Sequence, residues 1–407
     1  MIGQLLHIFF LIVFIYLALS TAFILFLSIA GSITVTTGKS TSATLGRFAI
    51  LIPTYKEDAV IETTIRSASE HDYPPDKFDV YVAADQLKQS TLDKLQNYRI
   101  YLHEVFFERG SKAKSLNFLL NKIDDTKYDY ALILDGDNIM SNGFLNSLNE
   151  HLQTAGTAVQ GHRTAKNTNT PIAILDALSE EVNNHLFRKG PSVLGLSSSL
   201  IGSGMAFPFR ILKQIYNKPG IIDNPACDRE VDFELLVHGV KVAYLDSAFV
   251  FDEKVSARAV YQNQRRRWLE SQVMHVILFF SDWKRVPRKS ADFWNKLFIQ
   301  LVPPRIFMLA MFLLIFACLI FEALFNINII GISPLYWSVL FIAYIAAILI
   351  AIPARLRSAD TLRAFLHLPI LLAAFLRAAF SLKRRRKEFA HTPKTFTGSS
   401  ASTKAEE

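Results

Sequence analysis

Apolar residues follow two different patterns along the chain. Long uninterrupted apolar runs cover residues 8–30, 306–326 and 337–354, close to the ~20 residues that a helix needs to cross a bilayer core. Between the first and second runs, short apolar stretches rich in β-branched and aromatic residues alternate with segments of helical spacing. The pattern predicts membrane helices on both sides of an α/β domain.

The first apolar run predicts a transmembrane helix within residues 1–31, a segment without charged side chains. A cleaved signal peptide is the alternative, but the segment lacks a basic amino-terminal region and its apolar run exceeds the usual ~7–15 residues. A short loop containing Gly331 and Pro334 separates the other two runs. These runs predict a transmembrane hairpin over residues 305–354.

The segments around the hairpin have mixed composition. We expect residues 276–304 to form an interfacial helix region that leads into the membrane. Residues 362–382 are apolar but contain two arginines and lead into the basic cluster 383–387. This composition favours an interfacial helix over residues 355–387, with its basic end on the anionic headgroups of membrane lipids, and a fourth crossing is the alternative. Residues 388–407 are predicted to be a flexible tail.

Charge is concentrated in two bands beside the predicted hairpin. The chain has 44 Lys and Arg against 36 Asp and Glu, a net charge of +8. Residues 254–305 carry 11 basic and 3 acidic side chains, and residues 354–407 carry 11 and 4. Because Lys and Arg concentrate on the cytoplasmic side of membrane helices, this distribution predicts an integral protein of the inner cell membrane with a cytoplasmic domain.

The remaining charges and the cysteines exclude several functional classes. Residues 32–253 carry 22 basic and 28 acidic side chains, so the soluble domain is acidic and nucleic-acid binding is not expected. Cys227 and Cys318 are the only cysteines, too few for a disulfide framework or a zinc site by spacing.

Alternating strands and helices predict a mostly parallel, Rossmann-like sheet in the middle of the chain. Segments of helical spacing, for example residues 58–70 and 112–122, lie between several of the apolar stretches. In open sheets of this kind, ligands bind beyond the carboxyl ends of the strands. The predicted strands are residues 48–52, 80–83, 101–106 and 130–134.

Polar residues follow several of these predicted strands directly. Thr54 and Glu57 follow the first strand, Asp85 follows the second, and Asp135 and Asp137 follow the fourth. Two carboxylates separated by one glycine can both bind one divalent cation, which a phosphate-bearing substrate would share. Asp-Gly-Asp-Asn is also ordinary turn chemistry, but its position after a buried strand favours the metal site.

Two charged segments lie closer to the hairpin. Residues 228–236 place four acids within seven positions on a predicted helix, where Asp228 and Asp232 share one face. An acidic first turn that stabilises the helix N-terminus is the alternative. Residues 264–268 read Gln-Arg-Arg-Arg-Trp. Such a cluster is typical of headgroup contact and of a signal for membrane topology, with Trp268 as a membrane-interface anchor.

Taken in this order, the motifs resemble those of inverting family-2 glycosyltransferases with the GT-A fold. The resemblance is strongest to the membrane-integrated cellulose, chitin and hyaluronan synthases, and it covers residues 45–275 by motif. The resemblance rests on the following motifs and residues: IPTYKE at 52–57, Asp85, KAKSLN at 112–117, the Asp135–Asp137 pair, GSG at 202–204, Asp232 in VDFEL, and QRRRW at 264–268.

The resemblance implies a GT-A domain that transfers sugar from a nucleotide sugar, expected to be UDP-linked, to a growing polysaccharide or a lipid-linked acceptor. It implies Mg²⁺ or Mn²⁺ on Asp135 and Asp137, and Asp232 as the general base. The implied donor-binding residues are Thr54, Glu57, Asp85, Lys112, Asp135, Arg265 and Arg267. The implied acceptor-binding residues are Gly202, Ser203, Gly204, Gln264 and Trp268.

Three departures from the family pattern leave alternatives open. Gln86 follows Asp85 where the family often has glycine, and Val231 replaces the acid that usually precedes the base, so Glu230 or Glu234 could serve instead of Asp232. Three predicted spans would make a thin wall for a polysaccharide channel. A non-catalytic membrane scaffold of the same fold is the alternative function, although the retained acidic pair and QRRRW run disfavour it.

Overall fold

A mixed β-sheet organises the middle of the chain in the computed structural model. The structure describes residues 2–34, 44–108, 110–153, 157–222, 227–286, 289–380 and 394–396. Within them the strands are β1 (Phe48–Tyr55), β2 (Phe78–Asp85), β3 (Tyr101–Val105), β4 (Tyr130–Ile133), β5 (Ile139–Met140), β6 (Thr157–Ala165), β7 (Met205–Pro208) and β8 (Lys241–Asp252).

The strands of the described residues form one sheet in the order β3-β2-β1-β4-β7-β6-β8-β5. The neighbours β3-β2-β1-β4 are parallel, as is the β6–β8 pair. Strand β7 is antiparallel to both β4 and β6, and β5 is antiparallel to β8. The mostly parallel α/β sheet predicted from the sequence is therefore confirmed, with the four predicted strands at β1 to β4.

Helices cover both faces of this sheet and continue beyond it. They are α1 (Ile2–Gly31), α2 (Ile61–Ser69), α3 (Gln89–Leu95), α4 (Lys112–Lys122), α5 (Phe144–Leu152), α6 (Pro171–Asn184), α7 (Gly190–Val193), α8 (Phe209–Tyr216), α9 (Pro219–Ile222), α10 (Cys227–Val237), α11 (Arg258–Asp282), α12 (Ala291–Leu301), α13 (Arg305–Phe325), α14 (Pro334–Ala351), α15 (Ala359–Ala364) and α16 (Leu368–Phe380).

Successive side chains of β1 point to opposite faces of the sheet, and they are buried on both faces because helices cover each face. Ala49 and Leu51 belong to an apolar cluster with residues of α4, α8 and α10. Phe48, Ile50 and Ile52 belong to a second cluster with residues of α2 and α5. The two clusters fix the central strands, and with them the polar residues at the strand ends.

Four helical segments within the described residues are long and apolar enough to cross a membrane: Gly3–Gly31, Arg305–Phe325, Pro334–Ala351 and Ala359–Arg377. The first three match the predicted spans. The fourth, made of α15, a 3₁₀ turn and α16, meets the same criteria of length and composition, although we expected an interfacial helix there. The basic cluster 383–387 lies outside the described residues.

The first helix packs against elements from distant parts of the chain. It contacts α14, where Ser28 Oγ donates a hydrogen bond of 2.7 Å to the Ala347 carbonyl. It also contacts α7 and the π-helical turn His185–Lys189 that precedes α7. A Cβ at Gly190 would lie 2.6 Å from the Leu27 carbonyl oxygen, so only glycine allows this approach. The sheet domain and the apolar helices are therefore in direct contact.

Helix α11 joins these two parts. It runs without a break from Arg258 to Asp282, so the predicted domain boundary at residue 275 falls inside a single helix. The predicted region 276–304 comprises the end of α11, a 3₁₀ turn at Trp283–Arg285 and α12. Residues 264–268 lie in the first half of α11, which places them between the sheet and the apolar helices.

Candidate functional site

A cavity of about 390 Å³, which we call the sheet-edge cavity, lies between α11 and the carboxyl ends of the central strands. It collects residues that are far apart in sequence, from Pro53 to Lys394. Many of the residues that we predicted from the sequence line it. They are Thr54, Glu57, Lys112, Asp135, Asp137, Gly202, Gln264, Arg267 and Trp268.

The first wall of the sheet-edge cavity is built where β1 and β4 end side by side. Because these strands are parallel neighbours, Thr54 and Glu57 lie next to the loop after β4. Thr54 Oγ1 donates a hydrogen bond of 3.2 Å to Glu57 Oε2. A Cβ at Gly136 would collide with the Glu57 carboxylate, so the residue between the two aspartates must be small. Burial raises the pKa of Glu57 to about 8, and the charges of Asp137 and Asp135 add to the increase.

Lys112 lies in the first turn of α4, where Ser111 caps the helix by accepting a hydrogen bond from the Lys114 amide. Lys112 Nζ donates hydrogen bonds to Asp135 Oδ1 and, at 2.7 Å, to the Gly202 carbonyl. Burial alone lowers the pKa of Lys112, but the Asp135 charge outweighs it, and the pKa is raised. Lys112 therefore carries a positive charge next to the first aspartate of the pair.

The second aspartate of the pair contacts a residue from the carboxyl-terminal segment. Asp137 Oδ2 accepts hydrogen bonds from Lys394 Nζ at 2.7 Å and from the Glu253 amide at 3.0 Å. Lys394 Nζ also lies 3.6 Å from Asp252 Oδ1. Residues 394–396, which we expected in a flexible tail, thus lie against the site, and the Lys394 ammonium occupies the point where two carboxylates converge.

A buried network of charges supports this wall. Glu180 on α6 accepts from Arg163 Nη2 at 2.8 Å and from Lys254 Nζ at 2.7 Å, and Lys254 also lies 2.8 Å from Asp252. The sequence motifs did not point to these residues, because each is ordinary by itself. Arg163 and Asp252 lie near the ends of β6 and β8, and this position at the edge of the sheet is the signal that could have found them.

The Gly-Ser-Gly segment contributes one residue to the cavity. Gly202 lines it and has φ +100°, a conformation that favours glycine. Ser203 is fully buried and does not line the cavity. Gly204 has φ +62° and packs against Val250, where a Cβ would lie 3.0 Å from Cγ2. The geometry brings Gly202 to the site and leaves Ser203 and Gly204 behind it.

The structure does not place Asp232 in the sheet-edge cavity. Its Oδ1 accepts a hydrogen bond of 2.6 Å from Lys296 of α12, so the carboxylate faces α12. Asp228, one helical turn earlier, lines the cavity, and its Oδ2 lies 3.6 Å from the point where Gly202 would carry a Cβ. The alternatives Glu230 and Glu234 do not line the cavity either. Among the four acids of this helix, Asp228 is the one at the site.

The QRRRW run is divided between two sides of α11. Gln264, Arg267 and Trp268 line the sheet-edge cavity, whereas Arg265 does not. Arg265 is buried, forms an ion pair with Asp176 of α6, and stacks with its guanidinium carbon 4.1 Å from the Trp268 ring centroid. The helical turn of about 100° per residue explains why neighbouring arginines point apart. The expected contact of Arg265 with the donor is therefore not supported by its position.

Asp85 lies beside the cavity and does not line it. It ends β2 opposite Tyr55 in the strand register and is fully buried. One carboxylate oxygen accepts a hydrogen bond of 3.3 Å from the Phe107 amide, and the other has no partner among the described residues. Burial raises the pKa of Asp85. The next residue, Gln86, has φ +57°, so the departure from the family's glycine is accommodated in a left-handed conformation.

The acidic pair fits a divalent cation as part of a larger ligand set. Within the described residues, no group of three or more His, Cys, Asp or Glu side chains could hold a metal ion by itself. Asp135 and Asp137 nevertheless both line the cavity, and Mg²⁺ is commonly bound by one or two carboxylates together with substrate phosphates. The Lys394 ammonium, itself a cation, lies 2.7 Å from Asp137 Oδ2.

Comparison with known proteins agrees with this geometry. Residues 46–271, more than half of the chain, match the family model described as "Glycosyltransferase like family 2". The chain is 22% identical over 319 residues to the probable glycosyltransferase YdaM of Bacillus subtilis (strain 168), covering 75% of this chain and 71% of that protein. It is 33% identical over 99 residues to the UDP-forming cellulose synthase catalytic subunit of Komagataeibacter sucrofermentans, 24% of this chain and 13% of that protein.

A solved structure shares the fold across almost the whole chain. The mannosyltransferase PcManGT from Pyrobaculum calidifontis, determined in complex with GDP-Man and Mn²⁺, aligns with a TM-score of 0.57 at 17% identity. The alignment covers 93% of this chain and 98% of that one, and it confirms the expected GT-A fold. The similarity to cellulose synthase is confined to a short segment. The chain therefore belongs to glycosyltransferase family 2 and is an enzyme that transfers a sugar from a nucleotide sugar.

Proposed function

We propose that this protein is a metal-dependent, inverting glycosyltransferase of the cytoplasmic membrane face, with the sheet-edge cavity as its active site. The main support for this proposal is that the Asp135–Asp137 pair, Asp228 and Trp268 all line one cavity between the sheet and α11. The acceptor is a glycan or a glycolipid. The two basic bands beside the hairpin support a cytoplasmic position of this site.

The donor binds at the ends of β1, β2 and β4 in this proposal. Thr54 and Glu57 line the cavity and would contact the base and ribose, with the buried Asp85 behind them at the end of β2. Lys112 lies beside Asp135 and would contact the diphosphate. The short similarity to a UDP-forming synthase supports a UDP-linked sugar. Asp135 and Asp137 would hold Mg²⁺ or Mn²⁺, which when bound neutralises charge on the departing diphosphate.

Asp228 is the general base in this proposal, in place of Asp232. Its carboxylate takes the proton of the acceptor hydroxyl as that oxygen forms a bond to the anomeric carbon. The bond from the anomeric carbon to the diphosphate oxygen breaks on the opposite face, its electron pair leaves with the diphosphate, and configuration inverts. A positioned base of this kind contributes typically ~10²- to 10⁴-fold to the rate.

Two residues of α11 complete the site. Arg267 lies in the cavity and suits an anionic leaving group, because a guanidinium presents several donors in one plane. Trp268 lines the cavity with an indole that is 37% exposed, and a flat apolar ring of this kind can stack on an acceptor sugar. Arg265 instead holds Trp268 in place through stacking and its ion pair with Asp176.

The experiment is a screen of UDP- and GDP-linked sugars with Mn²⁺, followed by mass spectrometry of the products and a comparison of two variants. Asp228→Asn should lower the rate of sugar transfer by about 10²- to 10⁴-fold while nucleotide binding persists. The comparison variant, Asp232→Asn on the next turn of the same helix, breaks the ion pair with Lys296 and should lower stability, but the folded protein should retain transfer. Full activity of Asp228→Asn together with loss in Asp232→Asn would restore Asp232 as the base.

A non-catalytic scaffold gives a different outcome in the same assay. It would bind nucleotide without releasing UDP or GDP from any sugar donor, in the wild-type protein as in both variants. That result would overturn the proposed function.

A further inference from the structure

A second cavity, of about 440 Å³, lies between the sheet domain and the apolar helices. We call it the interhelical cavity. Its walls come from α6 and α11 on one side and from α13, α14 and α16 on the other. The lining from the latter helices is mainly aliphatic and aromatic, for example Leu309, Ile348 and Leu371. Its volume falls within the ~300–1,000 Å³ of small-ligand pockets.

The two cavities share a wall. Asn183, Arg188, Leu200, Arg229 and Trp268 line both of them. A molecule in the interhelical cavity can therefore extend past Trp268 toward Asp228. This position relates the apolar cavity to the transfer reaction, because Trp268, which we propose stacks on the acceptor sugar, lines both cavities.

Two arginines line the interhelical cavity and form no ion pair with a carboxylate among the described residues: Arg188, which is buried, and Arg305, which is half-buried. The Arg188 guanidinium donates to Asn184 Oδ1 at 3.1 Å, and its Nε has no partner. Arg305 Nη2 donates to the carbonyl and hydroxyl of Ser179 at 2.8 and 3.2 Å, and its Nη1 has no partner. Buried charges are normally paired, so both guanidinium groups can accommodate an anion.

The positions of these arginines favour one shared ligand. Arg188 and Arg305 both line the interhelical cavity. Burial lowers the pKa of Arg188 to about 10, which an added anion would reverse. Arg188 lies in the π-helical turn His185–Lys189, and π-helical turns often occur at functional sites because they redirect side chains.

We propose that the interhelical cavity binds a lipid acceptor, with its hydrocarbon chain among α13, α14 and α16 and its phosphate at Arg188 and Arg305. The inference rests on the proposed function, because it names the class of acceptor for that reaction. A free glycan does not suit an aliphatic lining, and a neutral lipid would leave both guanidinium groups without an anion in direct contact. The head group beyond the phosphate extends past Trp268 toward Asp228.

The test uses the full-length protein in phosphatidylcholine nanodiscs with photoreactive hexadecyl phosphate, and identifies the labelled peptides by mass spectrometry. Labelling is expected on α6, α13, α14 or α16. Unlabelled hexadecyl phosphate should compete at least about tenfold better than hexadecanol, because hydrogen bonds to charged groups are the strong ones. Inorganic phosphate should not compete, since it cannot fill the apolar part.

Variants separate the phosphate contact from the apolar contact. Arg188→Gln and Arg305→Gln should each weaken competition by hexadecyl phosphate about tenfold. The matched control is Arg363→Gln on α15, whose side chain is 78% exposed, and it should leave competition unchanged. Ile348→Trp should block labelling by filling the cavity, which keeps the test decisive if an arginine variant does not fold.

The outcomes distinguish this inference from the proposed function. Equal competition by hexadecyl phosphate and hexadecanol, or labelling outside the cavity helices, overturns the inference even if donor turnover is normal. Labelling as expected in a protein that releases no nucleotide from any donor overturns the proposed function and leaves the lipid site standing.

Discussion

Buried positive charges are balanced differently in the two cavities. At the sheet-edge cavity, Arg163 and Lys254 lie against Glu180, and Lys394 lies against Asp137. Arg188, which lines both cavities, and Arg305, which lines the interhelical cavity, lie against amide, carbonyl and hydroxyl oxygens. Arg265, which also lines the interhelical cavity, is paired with Asp176. The first arrangement is complete without a ligand, whereas in our proposal the phosphate of a lipid completes the pairing of Arg188 and Arg305. In one site the buried charges are already paired within the protein, and in the other we propose that the ligand supplies the missing negative charge.

The largest expected effect comes from removing a carboxylate that pairs buried cations beside the sheet-edge cavity. Glu180→Gln keeps the shape of the side chain but leaves Arg163 and Lys254 buried without their shared carboxylate. The free energy of unfolding should fall by about 3–5 kcal/mol, as for other broken buried pairs. Chemical denaturation in a mild detergent measures it. Glu62→Gln, at an exposed pair with Arg66, is the control and should cost at most about 1 kcal/mol.

Strand β6 and helix α6 also carry His162 and Glu181, an ion pair that depends on pH. Burial alone lowers the pKa of His162, but Glu181 at 2.8 Å and Asp246 at 3.2 Å outweigh it and raise the pKa to about 9. Because the folded-state pKa lies above the reference value of 6.5, this contribution to stability is complete below pH 6.5 and is lost as the pH rises through about 9.

His162→Gln should therefore flatten the dependence of the unfolding free energy on pH between 6.5 and 9. The lost contribution is on the order of 3 kcal/mol at most. Denaturation curves at several pH values provide the measurement. A His162→Gln protein with the wild-type slope would show that this pair does not titrate in that interval.

The tail residue Lys394 gives a smaller expected effect. Its ammonium and a divalent cation compete for Asp137, so Lys394→Ala should lower the Mn²⁺ concentration for half-maximal UDP binding, by roughly tenfold. Isothermal titration of UDP at several Mn²⁺ concentrations measures the change. Lys404→Ala, from the same end of the chain, is the control. A higher Mn²⁺ requirement in Lys394→Ala would instead indicate that Lys394 helps to bind the donor.

The smallest effect is expected from replacing an arginine that has no carboxylate partner among the described residues. Arg188→Met removes a buried cation that has no carboxylate partner among the described residues. Without an added lipid phosphate, its unfolding free energy should change by less than about 1 kcal/mol or increase, because an uncompensated buried charge is costly. Denaturation beside Glu180→Gln makes the contrast direct. A loss as large as that of Glu180→Gln would show that Arg188 is balanced within the protein.

The sequence was sufficient where function depends on the ends of neighbouring strands. Thr54, Glu57, Asp135 and Asp137 were found because each follows a short apolar strand, and parallel strands bring such residues to one edge. Sequence also predicted α1, α13 and α14 as long apolar helices, because uninterrupted apolar runs need no tertiary information.

The residues that were missed or misplaced depend on how elements are rotated against each other. Asp228 and Asp232 share a helix face, and only the position of α12 turns Asp232 toward Lys296. Arg265 and Arg267 differ by two positions on α11 and therefore face different cavities. Lys394 lies 257 residues from Asp137, and no local pattern connects them.

The contact between α1 and α14 has a consequence for the order in which the chain is assembled. Ser28 and Ala347 are 319 residues apart, so the carbonyl that Ser28 contacts is synthesised long after α1 itself. At ~5–20 residues per second, this interval is roughly 15–60 s. During that time the sheet domain can complete its own contacts, while the first helix has not yet met its partner. Pairing of α1 with α14 is therefore a late event in the assembly of the chain.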